Sequence, residues 1–211
     1  THDFVDTSYE HFLASSVAVY PILREAAAGG SGVGELVRRG VAESMAWQSG
    51  GNTHFGALLL LMPLAMAAGA SESYDVDALK QKAAEIMQST NVDDAIGLYR
   101  AFPAAKVNVQ RDVPELDVMD EASLREISTK KLSLYEILTI SASYDLVSRE
   151  LVGGFEQTFR YATFVKNCAE EEDINEAITH AYMKLLSEDG DTFVTMKFGP
   201  EKNRYVKERA R

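Results

Sequence analysis

The stretch Gly50-Gly51-Asn52-Thr53-His54-Phe55-Gly56, followed at once by Ala57-Leu58-Leu59-Leu60-Leu61-Met62-Pro63-Leu64, sets polar groups directly against an apolar core segment. The apolar run from Ala57 to Ala68 is interrupted by Pro63 and falls well short of the ~20 residues that a membrane span needs, so it reads as a buried helix. The glycines before it carry no Cβ, which permits positive φ and a close approach of a ligand to the backbone. Asn52 or Thr53 is placed to cap the helix, whose first N–H groups and positive dipole end suit a phosphate. On spacing alone, a capping turn without a ligand is the plainer reading.

Working outward, helical periodicity continues along the whole chain. Leu36, Val37, Val41 and Met45 follow the three-and-four spacing of one helix face, as do Ile137, Leu138, Ser141 and the Tyr144-Asp145 pair. Ser133-Leu134-Tyr135-Glu136 is a capping box, and Asp173 is suited to start another helix. The pattern predicts helices over 7–28, 33–48, 53–68, 75–88, 92–103, 121–129, 134–151, 155–169, 173–187 and 200–210. Pro21 and Pro63 predict a kink or a restart, because proline removes a donor and clashes with the preceding turn. The stretch from Lys106 to Asp120, with Pro114, is the least regular. No alternating strand pattern competes, so the expectation is one all-α domain, a multi-helix bundle with its ligand cleft between helices.

With 211 residues, 46% of them hydrophobic, the chain can bury a sizeable core. Its net charge of -11 argues against a nucleic-acid partner or an anionic membrane surface, both of which need a basic footprint. A bound nucleotide would therefore require local cations or a metal to offset the field. The single cysteine, Cys168, allows no internal disulfide and reads as a packed thiol in a reducing, cytoplasmic compartment. No cleavable signal peptide is visible at Thr1. Composition leaves a homo-oligomer open.

Three blocks now take on weight together: Gly40-Val41-Ala42-Glu43-Ser44-Met45, the Gly50 to Gly56 run, and Asp191-Thr192-Phe193-Val194-Thr195-Met196-Lys197-Phe198-Gly199. They resemble, in order, the G-x-A-E-x-M, G-x-N-T-H-x-G and D-T-x-x-x-x-K-x-G blocks of the triphosphoribosyl-dephospho-CoA synthase family. His2-Asp3, with Phe12 and Ser15-Ser16, is similar to that family's early block. The segment from Leu134 to Glu150 resembles its shorter archaeal-type branch. Phe55 and Met196 stand where lysine and arginine are common, and Gly51 stands where valine is common. A Lys-Pro-Gly segment usual before the His-Asp block is absent ahead of Thr1, so a truncated start is expected.

The resemblance implies transfer of the 5-triphosphoribosyl group of ATP to the 2′-hydroxyl of 3′-dephospho-CoA, with release of adenine. Such a glycosyl transfer needs a carboxylate near an oxocarbenium-like centre and an acceptor for the hydroxyl proton. It also needs Mg²⁺ and cations for the triphosphate. The residues it points to are Glu43, His54 and Asp145 for catalysis, with Asp3 and Asp191 for the metal. Gly50, Gly51, Asn52, Thr53, Gly56, Thr192, Lys197 and Gly199 are the expected substrate contacts. Outside the resemblance, Glu43 is an ordinary exposed helical acid, His54 a cap residue and Trp47 a core residue rather than an adenine stack. Transfer to a different cofactor-like acceptor, or a non-catalytic nucleotide-binding module, are the competing readings.

Overall fold

The structure, a computed structural model, describes residues 5–107 and 116–211, and within them the chain forms twelve α-helices and no strand. They are α1 (Tyr9–Ala28), α2 (Val33–Ala46), α3 (Phe55–Ala70), α4 (Val76–Gln88), α5 (Val92–Ala105) and α6 (Glu121–Lys130). After these come α7 (Leu134–Ser141), α8 (Leu146–Val152), α9 (Glu156–Cys168), α10 (Ile174–Asp189), α11 (Thr192–Phe198) and α12 (Pro200–Arg209). His2, Asp3 and Pro114 lie outside the described residues.

The all-α expectation holds, with three local corrections. The helix expected over 134–151 is two, because Asp145 starts a new one by accepting the Ser148 amide proton at 2.7 Å. A short helix, α11, was not expected; Asp191 caps it by accepting from the amides of Phe193 and Val194 at 2.7 and 3.1 Å. Pro21 and Pro63 sit inside α1 and α3, which run on without a restart. In α3 the neighbours of Pro63 explain the continuity. Leu58, Met62 and Ala67 are fully buried around it, and their burial outweighs the ~3 kcal/mol cost of an interior proline.

Helices α1 and α3, and α2 and α5, cross at unusually small separations. A Cβ on Gly34 of α2 would lie 1.9 Å from the Asp94 carbonyl oxygen, and one on Gly97 of α5 would lie 2.6 Å from the Gly34 carbonyl carbon. A Cβ on Gly69 of α3 would meet the Ala27 oxygen of α1 at 1.7 Å. Backbones that touch in this way leave no room for side chains between them. The buried Asp94 carboxylate ties the α2–α5 crossing from within: it accepts from the Gly34 amide and from the Asn91 amide, both at 3.0 Å. One side chain thus satisfies orphan donors at the starts of two helices.

Leu36, Leu58, Met62, Met87, Ile127, Leu134, Leu151 and Phe155 are the largest wholly buried apolar side chains. They place the core among α2 to α9. Beyond it, α11 and α12 have no buried residue, and α10 buries only Ala177, Ala181 and Leu186. Polar contacts hold this C-terminal group together. Glu188 of α10 meets Arg160 and Tyr161 of α9, its carboxyl is held down to about 2 chiefly by Lys184 and then Tyr161, and Lys207 of α12 reaches its carbonyl.

Candidate active site

A cleft of about 1020 Å³ opens between the start of α3, the ends of α5 and α7, the start of α8, and α11. Three patches of different chemistry line it.

The first patch surrounds the N-terminus of α3, where Asp6, Thr7, Gly51, Asn52 and Gly56 face the cleft. The N-cap of α3 is His54, with no side-chain cap bond, rather than the expected Asn52 or Thr53; Asn52, two residues earlier, still accepts the Phe55 amide proton on its side-chain oxygen at 3.0 Å. The two glycines before it serve a different purpose from the one expected. Neither has positive φ, and the space where a Cβ would sit is taken by the chain itself. A Cβ on Gly50 would lie 2.4 Å from His11 Nδ1, and one on Gly51 would lie 2.9 Å from an Asp6 carboxylate oxygen. The Gly51 amide donates to the Asp6 carbonyl and the Thr7 hydroxyl, each at 3.2 Å. Gly56 is the glycine that faces open space, since only Val147 comes within 4.0 Å of its would-be Cβ.

The second patch joins α7, α8 and α11. Ser141 donates to Ser148 at 2.9 Å, Asp145 caps α8 beside them, and the Leu146 amide reaches the Thr192 hydroxyl at 3.4 Å. Tyr144 stands next to Asp145, and burial together with that carboxylate pushes its phenol up. Lys197 follows one turn after Thr192–Phe193, its ammonium 4.3 Å from the Phe193 ring centroid. Lys106, at the end of α5, is the other cation among the described lining residues.

The third patch is apolar. Phe55 and Phe102 meet edge to face at 4.8 Å, Tyr99 packs at 6.4 Å from Phe102, and the Tyr99 hydroxyl donates to the Leu116 carbonyl at 2.8 Å. Leu59, Leu98, Ile137 and Leu138 complete the surface.

Six of the expected residues therefore meet on one cleft: Gly51, Asn52, Gly56, Asp145, Thr192 and Lys197. The others stand elsewhere. Glu43 is exposed on α2 and does not line the cleft. Gly50 packs on His11, and Gly199 is a turn of φ 85° between α11 and α12. Asp191 is the N-cap of α11, its Oδ1 accepting the Phe193 and Val194 amides, and it does not line the cleft. Asp3 lies outside the described residues. Trp47, expected in the core, is 58% exposed at the end of α2.

Thr53 and His54 turn away from the lining toward α1. Thr53 donates to Ser15 at 2.9 Å and meets Ser44 at 3.2 Å. His54 precedes the first helical residue of α3 rather than lying within its first turn. Its Nδ1 is 2.9 Å from Ser15 Oγ, its Nε2 is 3.3 Å from Ser16 Oγ, and Phe12 packs edge-on to its ring. Burial lowers its imidazole below the ordinary histidine range. This contact set joins Ser15-Ser16 of α1 to Ser44 and Thr53-His54, which lie about thirty to forty residues further on. Thr7 and Lys106 are lining residues that sequence reasoning missed; Asp6 reads in the sequence as a structural acid sooner than a metal ligand, Ser141 and Tyr144 only as part of a helical face, and the fold brings all five to the cleft.

The profile of the CitG family, ATP:dephospho-CoA triphosphoribosyl transferase, matches residues 1–211. Among solved structures, an Archaeoglobus fulgidus protein provisionally described as a triphosphoribosyl-dephospho-CoA synthase has the same fold, with a TM-score of 0.79 and 30% identity over 96% of this chain and 81% of that one. No curated protein matches the chain. The motif order and a profile match from end to end agree: the chain belongs to the family of ATP:dephospho-CoA triphosphoribosyl transferases, enzymes that move the triphosphoribosyl group of ATP onto dephospho-CoA.

Proposed function

We propose that the cleft between α3, α7, α8 and α11 is where the two substrates of this transferase meet. The observation that carries the reading is the convergence of Asn52 and Gly56 from one motif block with Thr192 and Lys197 from another on one cavity wall. The start of α3 offers first-turn amides that intrahelical bonding leaves without partners, and Gly56 lets an anion approach them. The triphosphate sits there, with Lys197 and Lys106 as its cations. The apolar patch of Phe55, Phe102, Leu59 and Ile137 takes the pantetheine arm of the acceptor. A cavity of about 1020 Å³ is at the upper end of the range for a single small ligand, which favours two.

Mg²⁺ arrives with ATP. No group of three His, Cys, Asp or Glu among the described residues is arranged to hold an ion by itself. An ion bound mainly through phosphates needs only one or two carboxylates, and Asp6 and Asp145 are the acids on the cleft wall. When bound, the ion would neutralise triphosphate charge. Asp145 also becomes the carboxylate that faces positive charge developing at C1′, a role for which exposed Glu43 is poorly placed. The lone cysteine supports a cytoplasmic setting, and no helix of the described residues is long and apolar enough to cross a membrane.

Incubation with ATP, Mg²⁺ and dephospho-CoA should release adenine in step with consumption of the acceptor. Release that is unaffected by omitting dephospho-CoA would remove the acceptor from this cleft.

A further inference from the structure

We infer that Ser15 is a positioning residue that holds His54 in its Nδ1–H form, leaving Nε2 as a proton acceptor immediately beside the residues that line the cleft. The inference rests on hydrogen-bond accounting. Ser15 is completely buried, and its hydroxyl oxygen has four neighbours: the His11 carbonyl at 2.8 Å, the Phe12 carbonyl at 3.1 Å, Thr53 Oγ1 at 2.9 Å and His54 Nδ1 at 2.9 Å. A hydroxyl has one proton to donate and two lone pairs to accept with.

Carbonyls cannot donate. If the Ser15 proton went to His54, its oxygen would face the His11 carbonyl oxygen at 2.8 Å with no hydrogen between them, a repulsive contact. The proton therefore belongs to His11, the ordinary bond of a helical serine to the turn behind it. Ser15 then accepts from Thr53, which accepts in turn from Ser44, and from His54 Nδ1–H. Every member of this buried chain is satisfied. On the other side of the ring, Ser16 gives its proton to the Phe12 carbonyl at 2.7 Å, so among the described residues the Nε2 lone pair, 3.3 Å away, has no donor.

The consequence depends on the function proposed above. Phe55, next to His54 in the chain, Asn52, two residues before it, and Phe12, which packs edge-on to its ring, line the cleft, and His54 stands beside them without lining it. Nε2 takes the proton of the acceptor 2′-hydroxyl as the new O–C1′ bond forms and the C1′–N9 bond of ATP breaks. The bond pair leaves with adenine, which takes a proton from water, and the His54 imidazolium gives the hydroxyl's proton back to water, so the step balances. Burial favours the neutral imidazole that this step needs.

The test begins with the unmodified full chain labelled with ¹⁵N, without substrates, where imidazole nitrogen shifts report the tautomer of each of the four histidines and His54→Gln assigns the signal. A protonated Nδ1 and an unprotonated Nε2 are expected at neutral pH; a protonated Nε2 overturns the inference without any variant having to fold. Ser15→Ala should then mix the two tautomers and lower kcat about tenfold with KM for both substrates unchanged. An unaltered tautomer and kcat in folded Ser15→Ala would overturn the role of Ser15. If His54→Gln keeps full activity while the parent shows the expected tautomer, the base assignment fails and Ser15 is left with a structural task, which also overturns the inference.

Discussion

The two walls of the cleft are built by opposite means. The wall carrying Asn52, Gly56 and Phe55 belongs to helices whose backbones touch at Gly34, Gly97 and Gly69 and whose starts are tied by buried Asp94. The wall carrying Thr192 and Lys197 belongs to α11, which buries nothing and is backed by α12, which also buries nothing. Local stability follows buried apolar contact, so the first wall should open only with the whole fold and the second far more readily. The groups proposed to orient and accept a proton stand on or beside the rigid wall. A cation proposed to hold phosphate stands on the other. Chemistry that tolerates little misplacement is thus separated from binding that can adapt.

The largest effect should come from attacking the rigid wall where backbones meet. In Gly34→Ala the new methyl would lie 1.9 Å from a backbone oxygen that is itself packed and bonded, so α2 and α5 must separate. A loss of about 3 kcal/mol or more in chemical denaturation is expected. The control is Gly56→Ala, whose methyl meets nothing closer than 4.0 Å, where stability should hold and ATP affinity should fall. Equal stability losses would mean that the two sites are not built differently.

Asp145→Asn comes next and addresses the junction between the walls. Asparagine keeps an oxygen for the Ser148 amide, so the cap on α8 survives while the charge goes. Turnover should fall about a hundredfold if that charge faces the developing cation at C1′. A loss of under threefold with intact structure would take Asp145 out of the chemistry. On the adaptable wall, Lys197→Ala should raise KM for ATP about tenfold and leave thermal stability as it was, because the ammonium is exposed and its contact among the described residues is the Phe193 ring. A drop in kcat with unchanged KM would move Lys197 from binding to catalysis.

The pH response tests the rigid wall by itself. Burial lowers the His54 imidazole, so in the unfolded chain it protonates first as pH falls. Its contribution costs nothing above the unfolded value near ~6.5 and reduces stability progressively below it. The acid limb of kcat/KM, which reports the free enzyme, should likewise fall below ~6.5, and Ser15→Ala should shift it. An acid limb at or above the ordinary histidine value would contradict the buried, neutral ring.

Sequence periodicity made the helices legible because each carries its own caps and apolar face, as the Ser133 and Asp173 starts do. It failed at Asp145 and Asp191 for one reason: an aspartate inside a helical pattern reads as a surface acid until its side chain is seen to cap a new turn. The motif blocks named Asn52, Gly56, Thr192 and Lys197, which share one cleft. They gave no access to Asp6, Ser141 or Tyr144, which reach the cleft through tertiary packing. Gly50 and Gly51 were legible as constrained positions, but the cause of the constraint, the return of Asp6, Thr7 and His11 across them, is non-local.

The smallest expected effect is at Glu43, where motif and geometry diverge most. The family block makes it the leading catalytic acid. In the structure it is an exposed side chain on α2, next to Ser44, which is buried and faces Thr53. The block is therefore accounted for by Ser44, which supplies the proton at the head of the hydroxyl chain, and by Gly40, whose Cβ would press on Met62 at 3.0 Å. Glu43→Gln should then change turnover by no more than about threefold, within the range of a surface substitution, while Ser44→Val should lower it further by disturbing Thr53 and, through it, Ser15. The two variants must be compared at matched stability. A hundredfold loss in Glu43→Gln with the fold and ATP affinity unchanged would return the catalytic carboxylate to α2, and would move the reacting centre from the cleft wall at Asp145 to the α1–α2–α3 junction where His54 stands.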